Sequence, residues 1–154
     1  MHTLDEYDKK LLRLVQNNNL VSAKELAELV NLSASAEQRR LAKQRAKKII
    51  EADVSIISPS VAELGVTSIV DVVLHDGDSK SLEKFKTALR QRPEVMQCYF
   101  VTGTYDFVLV INTKDMQHYE RFSKKWLMDN PNVKHFYTHV VMDKVKVGYS
   151  VEIL

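Results

Sequence analysis

Residues 22–48, SAKELAELVNLSASAEQRRLAKQRAKK, decide the fold. Ser22-Ala23-Lys24-Glu25 is a capping-box pattern, and Leu26, Ala27, Leu29 and Val30 follow at helical spacing, so a short helix runs to about Asn31. After Leu32, Ser33 or Ser35 caps a further helix that extends towards Lys48. That helix is strongly basic: Arg39, Arg40, Lys43, Arg45, Lys47 and Lys48 stand against Glu37 alone. Its Glu37, Leu41, Gln44 and Lys48 share one face, of which only Leu41 is apolar. Long side chains such as Gln44 and Lys48 can bury their stems and carry their heads out to water. Upstream, Thr3 or Asp5 caps a first helix with Leu4, Leu11, Leu14 and Val15 recurring near helical spacing, and Asn17-Asn18-Asn19 stops it. Three helices with short connections, the last one basic, predict a helix-turn-helix unit. In such a unit the second helix braces against the DNA backbone and the third lies in the major groove.

Beyond Ala52 the pattern changes. Asp53 to Ser58 (DVSIIS) reads as a short strand before Pro59, and Ser58 to Leu64 as a linker. Val66 to Leu74 is β-branched and apolar, a strand. Asp76-Gly77-Asp78-Ser79 breaks it and starts a helix with Leu82, Phe85 and Leu89 on one face. Val95 to Thr102 is the next strand, Gly103-Thr104-Tyr105 turns the chain, and Phe107 to Ile111 is continuously apolar, as in a central strand. Asp115 caps a helix with Met116, Tyr119, Phe122 and Trp126 on one stripe. Val133 to Met142 is the fourth strand, and Val147, Tyr149, Val151 and Ile153 alternate as a last one. The order β-α-β-β-α-β predicts a ferredoxin-like sheet with one face covered by helices and the other needing a partner. The fold class is therefore α+β: a helix-turn-helix domain over 1–52, strand and linker over 53–65, and the ferredoxin-like domain over 66–154.

Composition narrows the function. The chain has 154 residues and a net charge of +2, but residues 1–50 carry ten Lys/Arg against six Asp/Glu, and the rest of the chain is slightly acidic. A basic segment on a near-neutral chain suits a polyanion partner. No apolar run is long enough to span a membrane, and the opening MHTLDEYDKK lacks the apolar core of a signal peptide, so a cytoplasmic location is expected. Cys98 is the only cysteine. The five histidines lack metal-ligand spacing, and no glycine loop suits a phosphate, so no catalytic residue, metal or cofactor is expected. His135 and His139 share a strand face with Val133, Tyr137 and Val141, which marks an interface face sooner than a metal site.

The stretches LDEYDKKLLRLVQNN, SAKELAELVNLSAS with Arg40 beyond it, VTGTYDFVLVINTKDM and THVVMDKVK, in this order and spacing, resemble the leucine-responsive regulatory protein/AsnC (Lrp/AsnC) family of transcriptional regulators. The resemblance covers nearly the whole chain. It implies a DNA-binding helix-turn-helix joined to an effector-sensing βαββαβ domain, in dimers that assemble to tetramers or octamers. The effector, usually an amino acid, is held between dimers. The family usually has apolar residues where Glu37 and Gln44 stand, and commonly glycine at Lys48.

The DNA-facing candidates are Ser33, Ser35, Gln38, Arg39, Arg40 and Lys43, in which Ser and Gln reach base edges and the cations meet phosphate or guanine. Ser33 and Ser35 serve equally well as caps alone. For the effector, Gly103, Thr104, Tyr105 and Asp106 resemble the family's G-x-Y-D loop. Exposed turn amides would hold a carboxylate and Asp106 an ammonium group. Met116 and Thr138, with Val140 and Val141 beside it, match family positions near the pocket and fit core or interface roles as well. Two other readings stay open: a sensor or co-regulator whose helix-turn-helix has decayed, and an enzyme like the sirohaem decarboxylases, which resemble this family.

Overall fold

The first helix begins where two acids cap each other. The Asp5 carboxylate accepts from the Asp8 amide at 2.8 Å, the Asp8 carboxylate accepts from the Asp5 amide at 3.4 Å, and α1 runs from Glu6 to Val15. The other candidate cap, Thr3, lies outside the described residues, which are 4–75 and 79–154 of this computed structural model. The Ser22 hydroxyl accepts from the Glu25 amide and opens α2 (Ala23–Val30). Asn31 then takes the left-handed conformation at φ 57°, which asparagine tolerates, and the Leu32 amide returns to the Ala27 carbonyl at 2.9 Å. This tight reversal leads straight into Ser33, whose hydroxyl caps α3 (Ala34–Ala46). Leu11, Leu26, Val30 and Leu41 form the shared core of the three helices.

Helix α3 corrects one expectation. Gln44 does not carry its head to solvent: it is 2% exposed, beside Glu37 at 1%, on the same face as Leu41. One oxygen of each, Glu37 Oε2 and Gln44 Oε1, has no hydrogen-bond partner among the described residues. Lys48 leaves that face altogether, because α3 stops at Ala46 and Lys48 sits beyond the cap at φ 57°. That left-handed position is where glycine is least strained, in accord with the glycine common in the family.

The chain divides into two units, residues up to Ile56 together with Lys146–Leu154, and Ile57–Val145. The strand expected over 53–58 is absent, and that segment is exposed and irregular. Its β-branched residues fit a pleat, but a strand needs a hydrogen-bonded neighbour and this segment has none among the described residues. The strand expected over 147–153 is likewise absent. Residues 146–154 group with the helices, whereas their alternating pattern suggests the sheet domain.

The second unit is built on β1 (Val66–Leu74), α4 (Ser79–Arg90), β2 (Val95–Phe100), β3 (Phe107–Thr113), α5 (Met116–Ser123) and β4 (Val133–Val140). The sheet is antiparallel in the order β2-β3-β1-β4, the ferredoxin-like arrangement. The expected break at Asp76-Gly77-Asp78 lies outside the described residues. Alternation puts Val70, Val72, Phe107, Leu109 and Ile111 under the helices, packed on Phe85, Leu89, Tyr119, Phe122 and Leu127. A π turn over Lys124–Met128 adds a residue to the helical period, so Leu127 takes the fully buried place and Trp126 stays at the edge. The other sheet face carries Ile69, Asp71, Val108, Val110, Tyr99, Tyr137 and His139, with no covering layer among the described residues.

Burial pushes the Glu37 carboxyl above the ordinary glutamate range, against a weaker opposing pull from Arg45. A raised acid in the folded state holds its proton longer than in the unfolded chain. Its contribution is therefore fully present below the ordinary value of 4.5 and is lost as pH rises through the higher folded value. Thermal unfolding of the first unit should thus show stability falling with pH above about 4.5. Glu37→Gln should flatten that slope, and Glu37→Leu with Gln44→Leu should raise stability near neutral pH by about 1–3 kcal/mol. An unchanged slope in Glu37→Gln would mean that the carboxyl is solvated.

Candidate nucleic-acid interface and effector turn

Opposite the buried stripe of α3 lies an exposed one. Ser35, Gln38, Arg39, Ala42, Lys43 and Ala46 point away from the core at spacings of three and four. The two alanines keep the surface low between Gln38, Arg39 and Lys43. Ser33 sits at the start of this stripe as cap, its hydroxyl 3.2 Å from both the Ala36 amide and the Ser35 hydroxyl.

Arg40 lies off this exposed stripe. Its Nη1 donates to Asp5 Oδ2 at 2.7 Å and to Asp8 Oδ1 at 2.8 Å, and its guanidinium lies over the Tyr7 ring at 5.4 Å. Each aspartate gives one oxygen to the α1 cap and the other to Arg40. The Asp8 amide, and after it Arg40, hold the Asp5 carboxyl below the ordinary range. Arg40 therefore ties α3 to α1. Arg45 is similarly committed, forming a bidentate pair with Asp53 at 2.8 and 3.1 Å. Sequence pattern gives no sign of this role for Asp53, because it lies eight residues on, past the end of the helix.

In the second unit, Gly103 adopts φ +126°, a conformation that side chains rarely allow, so glycine is required at this turn. Asp106 works as a structural clasp. Its amide donates to the Val72 carbonyl, its carbonyl accepts from Val101, and its Oδ2 accepts from the Leu74 amide at 2.8 Å. This closes the end of β1, an engagement that a free anion at Asp106 would not have. Thr104 is exposed, while the Tyr105 ring meets Tyr137 edge-on at 5.9 Å.

Met116 and Thr138 are not gathered at this turn. The turn precedes β3 and Met116 follows it, so the seven residues of the strand separate them, about 20 Å at about 3.3 Å per residue. Met116 is half-exposed at the start of α5, where the Asp115 carboxylate caps the His118 amide at 2.7 Å. Thr138 points under the helices and its hydroxyl bonds the Tyr119 hydroxyl. Val140 is exposed at the end of β4, and Val141 follows it. A cleft of about 330 Å³ between α4 and β2, lined by Lys86, Arg90, Cys98 and Phe100 among others, holds none of the predicted effector residues.

Residues 4–43 match the AsnC-type helix-turn-helix domain, and residues 67–151 match the Lrp/AsnC ligand binding domain. The chain belongs to the Lrp/AsnC family. It is 45% identical over 97% of its length, and 89% of the relative's, to an uncharacterised HTH-type transcriptional regulator of Sinorhizobium fredii. It is 30% identical to the proline dehydrogenase transcriptional activator of Rhizobium radiobacter, over 93% of this chain and 92% of that one. Among solved structures, a Neisseria meningitidis transcriptional regulator in complex with L-Met superposes with a TM-score of 0.92, at 29% identity and 97% coverage of both chains. The protein is thus an Lrp/AsnC-type transcriptional regulator, with a helix-turn-helix and a ligand-binding domain.

The Arg40 brace has a measurable weight. The bond to the partly buried Asp8 carries most of the brace, since a charge-assisted hydrogen bond to such a partner contributes about 1.5–3 kcal/mol before solvent screening. Arg40→Ala should lower the unfolding free energy of the first unit by about 1–2 kcal/mol. Arg39→Ala, on the exposed stripe, should leave it within about 0.5 kcal/mol. Equal melting temperatures for the two variants would contradict the brace.

Proposed function

We propose that this regulator binds pseudo-palindromic DNA as a dimer through the exposed stripe of α3, and that an amino acid bound between dimers modulates it. The observation that carries the DNA part is the stripe itself: Gln38, Arg39 and Lys43 stand together on the one face of α3 that the core leaves open. Gln38 and Ser35 suit base edges, and Arg39 and Lys43 suit phosphates or guanine. Paired half-sites follow from two-fold symmetry.

The uncovered sheet face supports the dimer. Ile69, Val108, Val110, Tyr99 and Tyr137 form an apolar patch around the Asp71–His139 pair, whose atoms lie 3.0 Å apart. A second copy supplies the layer that an open sheet needs. The distance between the Gly103–Asp106 turn and Met116 supports an effector site completed by more than one copy, since one copy alone separates its parts. Further assembly to tetramers or octamers belongs to the same proposal. The Asp106 carboxylate suits an ammonium group, and the exposed turn at Gly103 and Thr104 suits a carboxylate. The L-Met complex of the Neisseria relative supports an amino acid as the ligand class.

Removing Asp106 outright would also release the Leu74 amide, so the informative variant is Asp106→Asn, which keeps an acceptor and removes the charge. Calorimetry across an amino-acid panel that includes L-methionine should find a binder for the wild type, and Asp106→Asn should weaken it at least tenfold with the melting temperature retained. Light scattering should give a dimer or a multiple of one, with Val108→Asp monomeric. Normal amino-acid binding by Asp106→Asn, or no binder in the panel, would overturn the sensing role.

A further inference from the structure

The last nine residues make a contact that the fold does not require. Arg13, near the end of α1, donates from Nε and Nη2 to the Ile153 carbonyl at 3.0 and 2.8 Å. Gln16, the cap of α1, donates from Nε2 to the Val151 carbonyl and accepts from the Val151 amide, both at 3.1 Å. Residues 151 and 153 thus present alternate backbone groups of an extended segment to two side chains one turn apart on the helix. The Gln16 amide pairs with Val151 as a neighbouring strand would, through one donor and one acceptor.

This attachment is made of exposed polar bonds. Val147, Tyr149, Val151 and Leu154 remain largely exposed. A segment docked by solvent-exposed hydrogen bonds with little apolar burial stands at the low end of local stability and exchanges between docked and free states. The same α1 is joined to α3 at its other end, through Asp5, Asp8 and Arg40. The segment is also continuous with β4, just after the Val141 amide completes that strand's pairing at the Thr67 carbonyl. Its sequence up to residue 151 belongs to the ligand-binding domain match, yet it is seated on the first helix of the DNA-binding unit.

We infer that Lys146–Leu154 is a releasable strap which, docked on Arg13 and Gln16, holds α1 and with it the recognition helix in the DNA-binding arrangement. This rests on the DNA role proposed for α3. If the unstrapped unit is competent only a fraction of the time, apparent DNA affinity falls by the inverse of that fraction. Changes that reach the start of the strap along β4 would then be felt at α1 through the chain itself.

The test uses the full chain without added amino acid, comparing wild type with Arg13→Leu/Gln16→Leu and with a chain ending at Gly148. Amide exchange at Val151 reads docking, and titration against selected genomic DNA fragments reads binding. Wild-type Val151 should be protected. The double variant should lose that protection and bind DNA about three- to tenfold more weakly, while amide exchange within β1–β4 stays unchanged. The shortened chain should weaken DNA binding by the same factor. Val151 exchanging at the rate of an unstructured peptide in wild type would overturn the strap, as would variants that bind DNA as tightly as wild type. Failure of the wild type to bind any DNA would overturn the DNA role of α3 instead, and the strap's function with it, whatever Val151 shows.

Discussion

Arg40 holds the first unit together at the point where its core is weakest. Helix α3 buries Glu37 and Gln44 beside Leu41, so one apolar side chain stands where a recognition helix ordinarily packs a stripe. Burying a partnerless carboxyl and amide oxygen costs free energy that Leu41 alone does not offset. Outside the core, the Arg40 guanidinium joins the two cap aspartates of α1 and lies over Tyr7. One side chain thereby joins the start of α1 to α3. The basic residues of α3 divide accordingly. Arg40 and Arg45 serve the fold through Asp5, Asp8 and Asp53, while Arg39 and Lys43 stand clear on the open stripe.

The second unit repeats the lesson at Asp106. A carboxylate that reads as a ligand group spends one oxygen closing the end of β1 onto the turn. In both units the conspicuous charge has a structural role, Asp106 at the end of β1 and Arg40 at the start of α1.

Much of this is legible in the sequence. The caps at Ser22 and Asp115, the end of α2 near Asn31 and the βαββαβ order follow from local patterning, while the structure selects Asp5 and Ser33 from the paired candidates Thr3 or Asp5 and Ser33 or Ser35. What is not legible depends on distant partners. Arg40 meets acids 32 and 35 residues away, and nothing local distinguishes it from Arg39 beside it. The polar positions 37 and 44 are visible on the inner face of α3, but whether they reach water depends on how tightly α1 and α2 close over them. The segments 53–58 and 147–153 carry strand-forming residues, yet pairing decides strands, and among the described residues neither has a neighbour that forms a ladder with it. The extra residue of the π turn displaces Trp126 in favour of Leu127, which a regular period cannot foresee.

The proposed division between structural and DNA-facing cations is the centre of this account, and the salt dependence of DNA binding tests it most directly. Removing one phosphate-binding cation should reduce the slope of log K against log salt concentration by about 0.9. Measured on one DNA fragment, Arg39→Ala and Lys43→Ala should each show that reduction when the side chain binds phosphate. Arg40→Ala, measured well below its melting temperature, should keep the wild-type slope. A reduced slope in Arg40→Ala, with wild-type slopes in the other two, would contradict the assignment and place Arg40 on the DNA.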